Sequence, residues 1–311
     1  MATKGVQLGA RVFTLLRHMY PPVVTRNPAA VAVEVQALYR DICPDGDSGF
    51  VARIFGWAED CFSGRFADYQ AVDVPYHDFE HTLQGTLCMG RLLHGRERSR
   101  VLPRLERRLI ELGLLAILLH DTGYLKRRSD TEGTGAKYTL THVHRSAEFA
   151  TEFLGAKGFA PEDIHSVRNM IQCTGLDAEL ESIPFATESE RIVGHALGTA
   201  DLLGQMAADD YVDKLPALFD EFAEAARHVK GKEHFVASYA SAEALMKETP
   251  EFWRGFVQKK LEQDFHGLYR FLNRPLPDGP NWYFERVEAN MERLRDRKSQ
   301  MAGERRAAPD A

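Results

Sequence analysis

The segment Tyr76-His77-Asp78-Phe79-Glu80-His81 sets two histidines four residues apart. On a helix that spacing stacks two side chains on one face, so the pair could act on one small object such as a metal ion or a phosphate. Spacing alone decides nothing, because 12 histidines in 311 residues give about half of one such pair by chance. Other residues add weight. The apolar run Leu114 to Leu119 ends in His120-Asp121, where an unpaired ionised carboxylate would be costly to bury. Ala200-Asp201-Leu202-Leu203 repeats the anomaly. A divalent cation would compensate such charge, and histidine with carboxylate is the donor mix suited to Zn, Mn, Fe or Mg. His81, His120, Asp121 and Asp201 thus form a set that three helices could bring to one point.

Those helices are legible as a period of 3.6, with glycine and proline collected between periodic segments. The expected class is all-α. Ser48 is expected to cap a helix over FVARIFGWAEDCF, whose Phe50, Ile54, Trp57 and Phe62 make an apolar stripe. Further helices are expected at Thr82 to Leu93, Glu106 to Asp121, Thr141 to Leu154, Pro161 to Cys173, Ser189 to Ala208, Val212 to Arg227, Ala242 to Asn273 with a break near Pro250, and Trp282 to Arg297. The segment before Asp121 is apolar nearly all round and should be central. With no repeat and no clear linker, the chain divides into an N-terminal helical extension (1–65), a core (66–214), C-terminal helices packed on it (215–298) and a polar tail expected to be disordered (299–311).

Charge is nearly balanced, with 39 Lys+Arg against 45 Asp+Glu, so nothing draws the whole chain to nucleic acid or to an anionic membrane. No apolar run reaches the ~20 residues that span a bilayer. Lys4, Arg11, Arg17 and Arg26 precede the first acid, Glu34, a faint likeness to a transit peptide, but an ordinary first helix is the simpler expectation. Cys43, Cys61, Cys88 and Cys173 form no CxxC pair and read as reduced thiols of a cytoplasmic protein. Arg91 to Arg108 holds seven arginines and two glutamates; a solvated face is expected there, as it is for Lys126-Arg127-Arg128.

The order His81, His120-Asp121, Asp201 resembles the HD superfamily of metal-dependent phosphohydrolases, over roughly Asp73 to Lys214. Within it the chain is most similar to the branch of the cyclic-nucleotide phosphodiesterases, whose Tyr-His-Asn-x-x-His segment matches Tyr76 to His81. Looser matches are His142-Val143-His144, Met170 to Thr174 and Thr199-Ala200-Asp201-Leu202. The resemblance implies an HD-type helical bundle holding one or two divalent ions (Mn, Mg, Zn or Fe) on His81, His120, Asp121 and Asp201, with Asp121 bridging if both sites fill. It makes His77 the general acid, and His142 and His144 candidates near a second metal. Attack by metal-activated hydroxide on a phosphodiester or nucleotide is the implied reaction.

The chain also departs from that pattern. Tyr124 stands where the family has a further histidine, Gly204 where asparagine is common, and Asn281 to Phe284 matches the purine-clamping region poorly. Two alternatives follow, a di-iron oxygenase of the same fold and a non-catalytic nucleotide-binding module. The expected partner is a small phosphorylated substrate, a nucleotide first, with neither nucleic acid nor membrane; a homodimer is left open.

Overall fold

Helix caps written into the sequence start several of the chain's helices. Asn27 accepts from the Ala30 amide ahead of α1 (Pro28–Ile42), with Pro28 in its first turn. Thr187 and Ser241 do the same for α7 (Glu188–Met206) and α9 (Ala242–Phe252). Between and beyond them lie α2 (Phe50–Phe62), α3 (Phe79–Arg98), α4 (Arg107–Leu119), α5 (His142–Ala156), α6 (Pro161–Gln172), α8 (Tyr211–His228) and α10 (Trp282–Ala307). The computed structural model describes residues 20–228 and 239–307, with side chains to residue 297. Among the described residues there is no β-sheet, only isolated bridges such as Tyr69 with Arg127, and the chain is all-α.

Several local expectations are corrected. Ser48 does not cap α2: Gly49 precedes it without a side-chain cap, and it is Asp47 whose Oδ1 accepts from the Gly49 amide at 2.8 Å. Pro250 does not break its helix. The chain runs through it to Phe252 and goes on in two π-helical turns, Trp253–Val257 and Lys260–Asp264. The final helix continues to Ala307, so the tail expected to be disordered is helical over residues 299–307. Residues 308–311 and the first helix expected before Tyr20 lie outside the described residues.

One continuous hydrophobic core draws on residues from Tyr20 to Leu294. Its centre is α4, where Leu112 through Leu119 are all buried, as the all-round apolar pattern requires. No helix of the described residues is long and apolar enough to cross a membrane, and all four cysteines are free and buried. The arginine-rich run is not simply a solvated face. Arg91 is buried, stacks on the Tyr20 ring at 4.4 Å, and donates to the Pro21 carbonyl at 2.8 Å. Arg96 is also buried and donates to Glu97 and to the Pro103 carbonyl, both at 2.7 Å. Burying these cations is tolerable because most of their donors meet an acceptor and the Arg91 guanidinium lies on a ring.

Helices α3 and α7 cross backbone to backbone. A Cβ on Gly204 would lie 2.8 Å from the Gln84 carbonyl carbon and oxygen and 2.8 Å from the Gly85 Cα. The position where the resembled family commonly has asparagine therefore has no room for any side chain. Gly204→Ala is expected to cost about 1–3 kcal/mol through overpacking and to lower the melting temperature. A variant as stable as the parent would show that the helices do not meet there.

Candidate metal centre

Asp78 makes the first turn of the site. It is the N-cap of α3 and its side chain accepts from the His81 amide at 2.9 Å, so His81 stands in the first helical turn and His77 before it. The two histidines do not share a helix face, as their spacing suggested. They converge because the chain turns at the cap, which brings their ring centres to 5.3 Å.

His120 closes α4, and Asp121 begins the following 3-10 turn, Thr122–Tyr124. The His120 Nδ1 donates to the Ile117 carbonyl at 2.7 Å, which leaves Nε2 to present a lone pair when the ring is neutral. Asp121 Oδ2 lies 3.1 Å from His81 Nε2 and 3.2 Å from His120 Nε2. From α7, Asp201 Oδ1 lies 3.4 Å from each of the same nitrogens.

His81, His120 and Asp121 are all buried, offer ligand atoms within 4.8 Å of one another, and could hold a metal ion. A geometric detail supports that fit. His120 Nε2 and Asp121 Oδ2 are close, yet neither has a hydrogen-bond partner. Buried polar atoms are nearly always satisfied by one another. A ring nitrogen and a carboxylate oxygen that approach without an aligned hydrogen bond suit a third body between them, such as a metal ion.

Burial opposes charge on every member of the cluster, but the mutual attraction of histidine and carboxylate outweighs it. His81 is raised to about 9 and His120 well above its ordinary value, by Asp121 and Asp201. The two aspartates are held well below the carboxylate range by His120 and His81, against the opposing effect of burial. A metal ion bound there would have to displace the protons that this attraction favours on the imidazoles.

His142 and His144 separate. His142 heads α5, ties its Nδ1 to the Thr139 carbonyl at 2.6 Å, and brings Nε2 to 3.8 Å from Asp121 Oδ1. Burial lowers its pKa. His144 is exposed and faces Glu148 one turn on, so it is not brought to the cluster. Tyr124 is buried, its ring nearly parallel to those of His77 at 4.5 Å and His142 at 4.7 Å. Burial pushes its phenol well above the ordinary value. Gly123 permits this arrangement, since a Cβ there would sit 2.0 Å from the His142 carbonyl oxygen.

The residue missing from the sequence reading is Glu221. It is buried on α8, places Oε2 2.5 Å from His77 Nδ1, and accepts from the Tyr76 amide at 2.6 Å through Oε1. The available signal was an acid on the stripe that also buries Tyr211, Val212, Leu215 and Ala225, the same anomaly that marked Asp201. Lys126, expected on a solvated loop, is instead buried and bound to Asp73 at 2.9 Å and the Gly133 carbonyl at 2.5 Å. Arg127 pairs with Glu152 at 2.5 Å.

Residues 128–272 match the family model described as Npun_R2479-like. That segment contains His142, Asp201 and Glu221 and leaves His81, His120 and Asp121 outside it. No curated protein matches the chain.

Proposed function

We propose that the chain is a metal-dependent phosphohydrolase of the HD type that cleaves a phosphodiester or nucleotide. His81, His120, Asp121 and Asp201 are its metal ligands and His77 its general acid. The observation that carries this reading is the 2.5 Å contact between His77 Nδ1 and the buried Glu221 beside the cluster. A carboxylate on Nδ1 fixes the ring and leaves Nε2 to hold a transferable proton, the arrangement that general acid–base histidines use. A structural metal centre has no need of such a pair.

A divalent ion on the four donors would supply Lewis acidity and make water a nucleophile near neutral pH. The chain's own contribution is to hold the ligands in place, to exclude bulk water from the buried cluster, and to deliver the His77 proton to the departing oxygen. A di-iron oxygenase would need further histidine ligands, and His144, one of the two candidates near a second metal, faces Glu148 on the surface.

The test is a screen of the metal-stripped chain, reloaded in turn with Mn, Mg, Zn or Fe, on phosphomonoesters, linear diesters and cyclic nucleotides, with dissolved oxygen followed in parallel. Hydrolysis without oxygen uptake is expected. Oxygen consumption by an iron-loaded form, or metal binding with no hydrolysis of any of these esters, would overturn the proposal.

A further inference from the structure

On the reading of the cluster as a metal centre, we infer that Gln205 is a positioning residue that holds Asp201 in its ligating orientation, and that Tyr76 fixes Gln205 in turn. Gln205 follows Asp201 by four residues on α7, the spacing at which a glutamine amide reaches an aspartate one turn away. Its Nε2 donates to Asp201 Oδ1 at 3.2 Å and to the Asp201 carbonyl, also at 3.2 Å. Both of those atoms accept only, so the amide nitrogen must face them and Oε1 must face away.

There Oε1 accepts from the Tyr76 hydroxyl at 2.8 Å. Tyr76 is itself buried, and its backbone amide is bound to Glu221. The oxygen that Gln205 holds is the one lying 3.4 Å from both His81 and His120. A single amide thus sets the rotation of Asp201, and Tyr76 joins that amide to the segment that carries His77. Nothing local requires this: an exposed Gln–Asp pair would leave the carboxylate free to rotate, whereas this one is locked from both ends.

Zinc affinity of the full chain, measured by competition with a chromophoric chelator, distinguishes positioning from space-filling. Gln205→Ala is expected to weaken zinc binding about 10- to 100-fold, the usual worth of a partner that orients a ligand. Gln205→Glu keeps the volume and can still accept from Tyr76, but it turns an acceptor toward Asp201. It should bind zinc no better than Gln205→Ala, and Tyr76→Phe should lose less than either. The metal-free variants should melt close to the parent. Parental affinity in Gln205→Glu would show that only volume matters, and parental affinity in both Gln205 variants would show that Asp201 needs no support; either result overturns the inference. If the parent chain binds zinc and Asp121→Ala does not, such a result leaves the metal centre standing. If the parent binds no zinc, both fall.

Discussion

Asp121→Ala is expected to lose bound metal and all hydrolysis together. Asp121 is the member of the cluster closest to both imidazoles, with Oδ2 at 3.1 and 3.2 Å from their Nε2 atoms, and its other oxygen faces His142. Removing a residue that merely orients a ligand costs about 10- to 100-fold in metal affinity, so removing a ligand should cost more. His144→Ala is the matched control. It deletes a histidine in the same stretch as His142 but on the surface, and should leave metal content and rate unchanged. Elemental analysis of the purified variants checks both, and stoichiometric metal retained in both Asp121→Ala and Asp201→Ala would mean that the cluster is not the centre.

His77→Ala should leave metal content equal to that of the parent while slowing turnover by about 100- to 10,000-fold, the usual worth of general acid catalysis. The loss should depend on the leaving group. Nitrophenolate departs readily without a proton, whereas a ribose alkoxide does not, so the variant should fall far less on a nitrophenyl diester than on a nucleotide diester. Glu221→Gln should give a smaller loss of the same pattern, since the amide can still accept from His77 Nδ1 but no longer balances its charge. Equal losses on both substrates, or metal lost along with His77, would assign this histidine to structure or ligation instead of proton transfer.

The parts of this site that were legible in the sequence are those that break a local rule. His120-Asp121 and Asp201 put ligand-type residues into apolar helical runs, and burial is the physical reason such residues stand out. The helices themselves followed from periodicity, with errors concentrated at ends and breaks: Asp47 instead of Ser48 before α2, and π-helical turns after Pro250. What stayed hidden depends on contacts distant in sequence. Glu221 meets His77 across 144 positions, and no local spacing encodes that. The His77–His81 pair was noticed for a helical reason that does not hold, because Asp78 caps the helix between them. Arg91 and Arg96 looked solvated because a charge run shows composition, not which residues a fold turns inward. Gly204 looked like a lost function and is a steric requirement of the α3–α7 crossing.

The proposed metal centre is tested most directly by titrating the metal-stripped chain with zinc in weak buffer near neutral pH, following metal uptake, proton release and melting temperature together. His81 is raised from 6.5 to about 9 by Asp121 and Asp201 in the metal-free fold, so near neutrality it holds a proton that an incoming cation must displace. A pKa raised on folding stabilises fully below the unfolded value, and that contribution is lost as pH rises through the folded one. The metal-free melting temperature should therefore fall between pH 6.5 and about 9, and zinc should flatten that slope. Uptake of zinc with proton release, a higher melting temperature and no such response in Asp121→Ala is the predicted result. Zinc uptake by Asp121→Ala equal to that of the parent, or no proton release and no stabilisation in the parent, would contradict it.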